Sequence, residues 1–167
     1  MTAGARSGLT LLALATLLVA ATVWGWSALT KPFPQDEPVA ICEDTPVTAG
    51  SEVRRDEIVV SLFNGSERSG LASATIAQLE ERGFVAGDVG DAPQQTSSTQ
   101  IWADDATNPA VQLVKRQFRR AEVVPGTQIG PGVVVVVGEK FTTLRKKQVE
   151  SVVVKADTTY CRATGSE

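Results

Sequence analysis

The chain has 167 residues, 43% of them hydrophobic, with 16 basic and 19 acidic side chains and a net charge of −3. That length holds one ordinary domain, and so small a net charge points to no class of partner. Histidine is absent and Met1 is the only methionine; the commonest general base and metal ligand is therefore missing, and any catalysis is left to carboxylates, Ser, Thr, Lys or two cysteines.

Residues 1–7 carry Arg6 and the amino terminus and read as a cytoplasmic tail. From Gly8 to Leu29 the run "GLTLLALATLLVAATVWGWSAL" has no charge. As a helix it spans about 33 Å at 1.5 Å per residue, against a hydrocarbon core of about 30 Å. Trp24 and Trp26 stand near its far end, where interfacial aromatics belong, and the positive-inside rule puts the rest of the chain outside. The expectation over 8–29 is an uncleaved single-pass anchor. A cleaved signal peptide is the alternative, with small residues at Val19-Ala20-Ala21, but the apolar run continues past that point. Either way the folded part is extracytoplasmic.

That compartment makes Cys42 and Cys161 meaningful. They flank the remaining sequence and read as one disulfide; two unrelated free thiols are the alternative, and no C-x-x-C spacing suggests a redox pair.

Residues 30–55 hold four of the eight prolines and several acids and read as a linker. A domain is expected over 56–141. "EIVVSLF" (57–63) is a β-branched strand ended by Asn64-Gly65. A helix follows from Ser69 or Gly70 to about Arg82, with Leu71, Ala72, Thr75, Ile76 and Leu79 on one stripe. Phe84–Gly90 and Thr99–Ala103 read as strands two and three. Asn108 and Pro109 supply cap and first-turn residues for a second helix to about Arg119, buried through Val111, Val114 and Phe118. Ala121–Val124 is a fourth strand. Gly132–Gly138, apolar without alternation, is a fifth that is buried on both faces. The order β-α-β-β-α-β-β predicts a two-layer α/β (α+β) domain, both helices packed on one face of a mixed sheet. The C-terminal extension, 142–167, is expected to add an edge strand around Val149–Cys161.

The stretch "SLFNGSERSGLA" (61–72) has the outline of a phosphate loop, since Gly65 and Gly70 frame four residues between a strand and a helix. A Walker loop needs Lys and Ser or Thr after the second glycine; Leu71 and Ala72 stand there. A Rossmann turn needs G-x-G-x-x-G, also missing. The stretch reads as a structural joint, and no cofactor is expected.

The pattern V-x-[VL]-x-N-G-[ST] at Val60–Ser66, followed by Gly70-Leu71-Ala72 opening a helix, resembles the signature of the LytR C-terminal domain family. The resemblance continues in order through "GFVAGDVGDA" (83–92), "TQIWADD" (99–105), "AEVVPG" (121–126) and "GVVVVVGEKF" (132–141), about half the chain. Tail, anchor, linker, domain and flanking cysteines together are similar to the plan of membrane-anchored actinobacterial proteins of this kind. In the family the domain often follows a LytR-CpsA-Psr catalytic domain, absent here. The resemblance therefore implies a non-enzymatic binding or scaffold protein supporting the cell envelope. An auxiliary partner of a glycopolymer transferase is the alternative, and no catalytic or metal-ligating residue carries over.

Charge offers the remaining candidates. Residues 36–105 hold fourteen acids and four bases, whereas residues 115–147 hold eight bases and two acids. The clusters Lys115, Arg116, Arg119, Arg120 and Arg145, Lys146, Lys147 would attract an anionic wall polymer or phospholipid headgroups if they met in space; otherwise they are a solvated helix face and a loop. Trp102, the domain's only tryptophan, is the candidate for glycan stacking, with packing against a helix as the competing role. Asp104 and Asp105 read as helix-capping acids. Expected partners are the membrane, envelope proteins or anionic glycopolymers. An acidic extracytoplasmic chain is not expected to bind nucleic acid.

Overall fold

The computed structural model describes residues 13–22, 24, 26 and 41–165, which fall into two units, Met1–Val39 and Ala40–Glu167. In the first, residues 13–22 are helical (α1), and Leu14, Leu17, Leu18 and Val19 are each at least 60% exposed. Among the described residues no helix is long and apolar enough to cross a membrane. The anchor expected over 8–29 lies partly outside the described residues, and the tail 1–7 wholly outside them.

The second unit runs β1 (Cys42–Val47), β2 (Glu52–Arg54), a 3-10 turn (Arg55–Glu57), β3 (Val59–Asn64), α2 (Leu71–Glu80), β4 (Val85–Asp91), β5 (Thr99–Trp102), α3 (Pro109–Lys115), β6 (Ala121–Val124), β7 (Val133–Val137), β8 (Ser151–Val153) and β9 (Thr158–Ala163). Five strands form one mixed sheet in the order β4-β3-β7-β5-β6. β3 is parallel to β4 and β7, β5 is parallel to β6, and β5 meets β7 antiparallel. The expected element order and mixed sheet are present. The valines of β7 are all buried, as their unbroken apolar run required.

Alternation sorts the sheet's two faces. Val60, Leu62, Ile101, Val133, Val135 and Val137 share one core with Ala72, Ile76 and Leu79 of α2 and Val111, Leu113 and Val114 of α3. Both helices therefore cover the same face. Phe63, Val134 and Val136 point the other way, under Ala92, Trp102 and Ile129. Gly132, leading into β7, has φ +69, and a Cβ there would lie 2.1 Å from the Val59 carbonyl oxygen. Only glycine fits both that conformation and that approach.

The 61–72 joint is fastened to the end of β7. Gly65 N–H donates to the Val137 carbonyl, and the Asn64 side chain accepts from Ser66 and donates to the Arg68 carbonyl. Arg68 in turn donates to the Phe141 carbonyl. Every one of these groups is used by the protein itself.

Three expectations change. The second helix does not reach Arg119: α3 ends at Lys115 with Arg116 as its cap. The chain turns there because Gln117 is drawn into the interior and Phe118 bridges Leu144. The C-terminal extension adds no edge to the main sheet; β8 pairs with β2 and β9 with β1, as two separate ribbons. Their partners lie inside the expected linker. In β1 the side chains that gave a linker composition, Glu43, Asp44 and Pro46, face solvent, while Cys42, Thr45 and Val47 turn inward.

Candidate functional site

Two basic segments, 25 residues apart between Arg120 and Arg145, lie side by side. The Phe118–Leu144 bridge starts the contact. Arg145 then donates from its backbone N–H to the Gln117 carbonyl (2.7 Å), from Nε to the Phe118 carbonyl (2.7 Å) and from an Nη to the Arg119 carbonyl (3.3 Å). Arg82, just past α2, donates one Nη to Gln117 Oε1 (3.0 Å) and the other to the Arg145 carbonyl (2.7 Å). Gln117 is fully buried, and its amide nitrogen donates to the Val149 carbonyl at 3.0 Å. One side chain thus ties together three stretches of chain.

The consequence is a ridge in which Arg119, Arg120, Lys146 and Lys147 are exposed. Among the described residues none of them, nor Arg82, Lys115, Arg116 or Arg145, has a carboxylate within ion-pair distance. Arg82 is held below its usual pKa, first by burial and then by the neighbouring positive charge of Arg55. Arg55 continues the ridge but is paired with Glu150 and bonded to Gln148. Two kinds of base result. Arg82 and Arg145 spend their donors on carbonyls and fix the shape; Arg119, Arg120, Lys146 and Lys147 leave theirs toward solvent.

Arg116 goes elsewhere. It lines a groove of about 150 Å³ with Gln112, Val153 and Lys155, between α3 and β8. Trp102 sits level with Val124 in the β5–β6 register, whereas the ridge begins beyond Ala121, at the opposite end of that pair. The indole N–H donates to Gln100 Oε1 at 3.1 Å, and the backbone at Gly126 packs on the ring so closely that a Cβ there would lie 2.5 Å from it. Trp102 lines a cleft of about 210 Å³ with Asp104, Asn108 and Gln128. Asn108 caps α3 and donates to the Thr159 carbonyl, and Gln128 donates to the Gly130 and Gly132 carbonyls. Asp105, held below the usual carboxylate range by hydrogen bonds from Thr107, serves the turn before α3.

Cys42 and Cys161 are bonded, with Cα atoms 5.3 Å apart. The neighbours of Cys161 anchor β9 to the body of the domain. Tyr160 O–H donates to Glu57 Oε2 (3.2 Å), and Arg162 pairs with Glu57 Oε1 (2.8 Å). Burial, then the Glu57 charge, pushes the Tyr160 hydroxyl up to about 12.

The family described as LytR cell envelope-related transcriptional attenuator matches residues 57–141, half of the sequence. The chain belongs to the LytR C-terminal family. Its fold is similar to the soluble domain of a conserved hypothetical secreted protein from Mycobacterium marinum, at 22% identity and a TM-score of 0.50, over 64% of this chain and 78% of that one. No curated protein matches. The LytR C-terminal match takes in Lys115–Arg120 but stops short of Arg145–Lys147, and both ribbons with their disulfide also fall outside it.

Composition flagged both basic clusters but not their meeting. Arg82 and Gln117 were missed. One signal for Gln117 existed: with Ala110, Leu113 and Val114 it falls on an i, i+3, i+4, i+7 stripe, a polar residue on a buried face.

Proposed function

We propose that this LytR C-terminal protein is a non-enzymatic, extracytoplasmic binding and scaffold domain of the cell envelope. It is tethered to the membrane by residues 8–29 and holds an anionic wall polymer along the basic ridge. The observation that carries the reading is the convergence of Arg119 and Arg120 with Lys146 and Lys147, with no acid among the described residues within ion-pair distance. Unneutralised bases are repelled by one another, and a structure that forces them together gains when a polyanion displaces their counterions. The ridge is open surface, so binding comes from several weak contacts along a chain of charges, not from one enclosed site. The family membership and the disulfide support an extracytoplasmic place. The exposed apolar side chains of α1 support the tether.

Retention of the soluble portion on insoluble cell wall at low salt tests it. Retention should fall steeply as salt rises, and the triple variant Arg119→Glu/Arg120→Glu/Lys146→Glu should elute, while Arg116→Glu, in its separate groove, should change little. Equal retention of the triple variant would remove the ridge from the reading.

A further inference from the structure

We propose that the Cys42–Cys161 bond is a mechanical staple, placed so that tension arriving along the chain before Cys42 bypasses the β1–β9 ribbon and enters the core at Glu57 and Ile58. The inference rests on the reading above, because a membrane tether at one end and a wall polymer on the ridge are the two attachments that put the domain under tension.

The position of the bond carries the argument. Cys42 is the first residue of β1, and β1 pairs antiparallel with β9 from Cys42 opposite Ala163 to Val47 opposite Thr158. A pull on the preceding chain that is directed across the strands enters this ribbon at its Cys42 end and acts to unzip it. Without a covalent link, its pairs would be loaded one after another from Cys42 inward, and hydrogen bonds loaded singly yield more readily than bonds loaded together. The staple sits at the pulled end, so residues 43–47 lie off the load path. A bond at the other end of the ribbon would close a loop of nearly the same length and stabilise the fold almost equally, since loop entropy varies only logarithmically with length. Equilibrium stability therefore does not select the observed end; resistance to peeling does.

What receives the load is also built for it. Cys161 lies between Tyr160 and Arg162, both held by Glu57, and Arg162 forms a backbone bridge with Ile58. Those residues lead directly into β3, which is flanked by β4 and β7 in the sheet. Outside the staple lies the edge of the ribbon, where Thr164 donates to the Ile41 carbonyl from its N–H and its hydroxyl.

Single-molecule pulling on the full chain tests this, with one handle at the N-terminus and one in the exposed loop at Pro93–Gln95. The oxidised chain is expected to show no step from the β1–β9 ribbon before the core unfolds. The Cys42→Ser/Cys161→Ser chain is expected to show an earlier, lower-force event of about 20 Å, the length of six extended residues. Reducing the unsubstituted chain while it is held under force should produce the same step, which covers the case of a variant that folds poorly. The same early step in oxidised and reduced chains, or in neither, would overturn the staple. Neither membrane nor polymer enters the measurement, so its failure is separate from a failure of wall retention.

Discussion

Replacing Gln117 with leucine removes the hub of the ridge without changing charge or much volume. Three interactions are affected. Arg82 loses a 3.0 Å acceptor, the Val149 carbonyl loses a 3.0 Å donor, and the weak 3.4 Å contact to the Leu113 carbonyl disappears. A hydrogen bond to a charged group is worth about 1.5–3 kcal/mol and a neutral one about 1 kcal/mol. Arg82 is half-buried and partly re-solvated, so the lower end applies to it. Leucine recovers about 1 kcal/mol by burying apolar surface where an amide stood. The net expectation is a loss of about 2 kcal/mol, or roughly 8 °C in Tm for a domain of this size. Urea unfolding followed by Trp102 fluorescence, with far-UV dichroism alongside, measures it. Because Arg82 would lose one of the two acceptors that fix it against the Arg145 segment, polymer retention should weaken as well, although no base has been removed. A variant within about 0.5 kcal/mol of the parent and equally well retained would refute the hub.

Tyr160 is the only tyrosine in the chain, so its ionisation can be read directly from tyrosinate absorbance; the midpoint should lie near 12 instead of the ordinary value of 10. Since folding raises this pKa, the contribution is intact below pH 10 and is lost as the pH climbs from 10 to 12, and Tyr160→Phe should abolish that part of the alkaline loss. Reducing the disulfide should lower stability by at most about 4–5 kcal/mol, measured by urea titration with and without reductant. Gly132→Ala should cost at least about 2 kcal/mol, from the left-handed backbone and the overlap with Val59, visible as a lowered urea midpoint; an unchanged midpoint would contradict the close approach.

Much of the main domain was legible because its signals are local. Five valines in a row, a cap at Asn108-Pro109 and the stripe from Leu71 to Leu79 each declare an element without reference to the rest of the chain. What was not legible depended on distant partners. Glu43, Asp44 and Pro46 look like linker residues until β9 supplies the other half of a ribbon whose inward positions are Cys42, Thr45 and Val47. The second helix seemed longer than it is because Phe118 continues the apolar stripe, while the bridge to Leu144 and the bonds of Gln117 to Arg82 and Val149 stop it early. For the candidate site, periodicity and composition could name the bases of the ridge. Their convergence came from carbonyl groups that accept from Arg145, and backbone acceptors leave no mark in a sequence.

The central place of β7 has a consequence for the order in which the molecule can be made. β3 with α2 and β4 is a finished parallel unit by residue 91, and β5 with α3 and β6 is another by residue 124. Neither can join the other until Val133–Val137 arrives to lie between β3 and β5. β1, the earliest of the described strands to be synthesised, waits longest, because β9 is the last of them. A chain interrupted anywhere before residue 161 therefore leaves Cys42 without its partner thiol, however complete the main sheet. Closure of the disulfide marks a chain synthesised through Cys161.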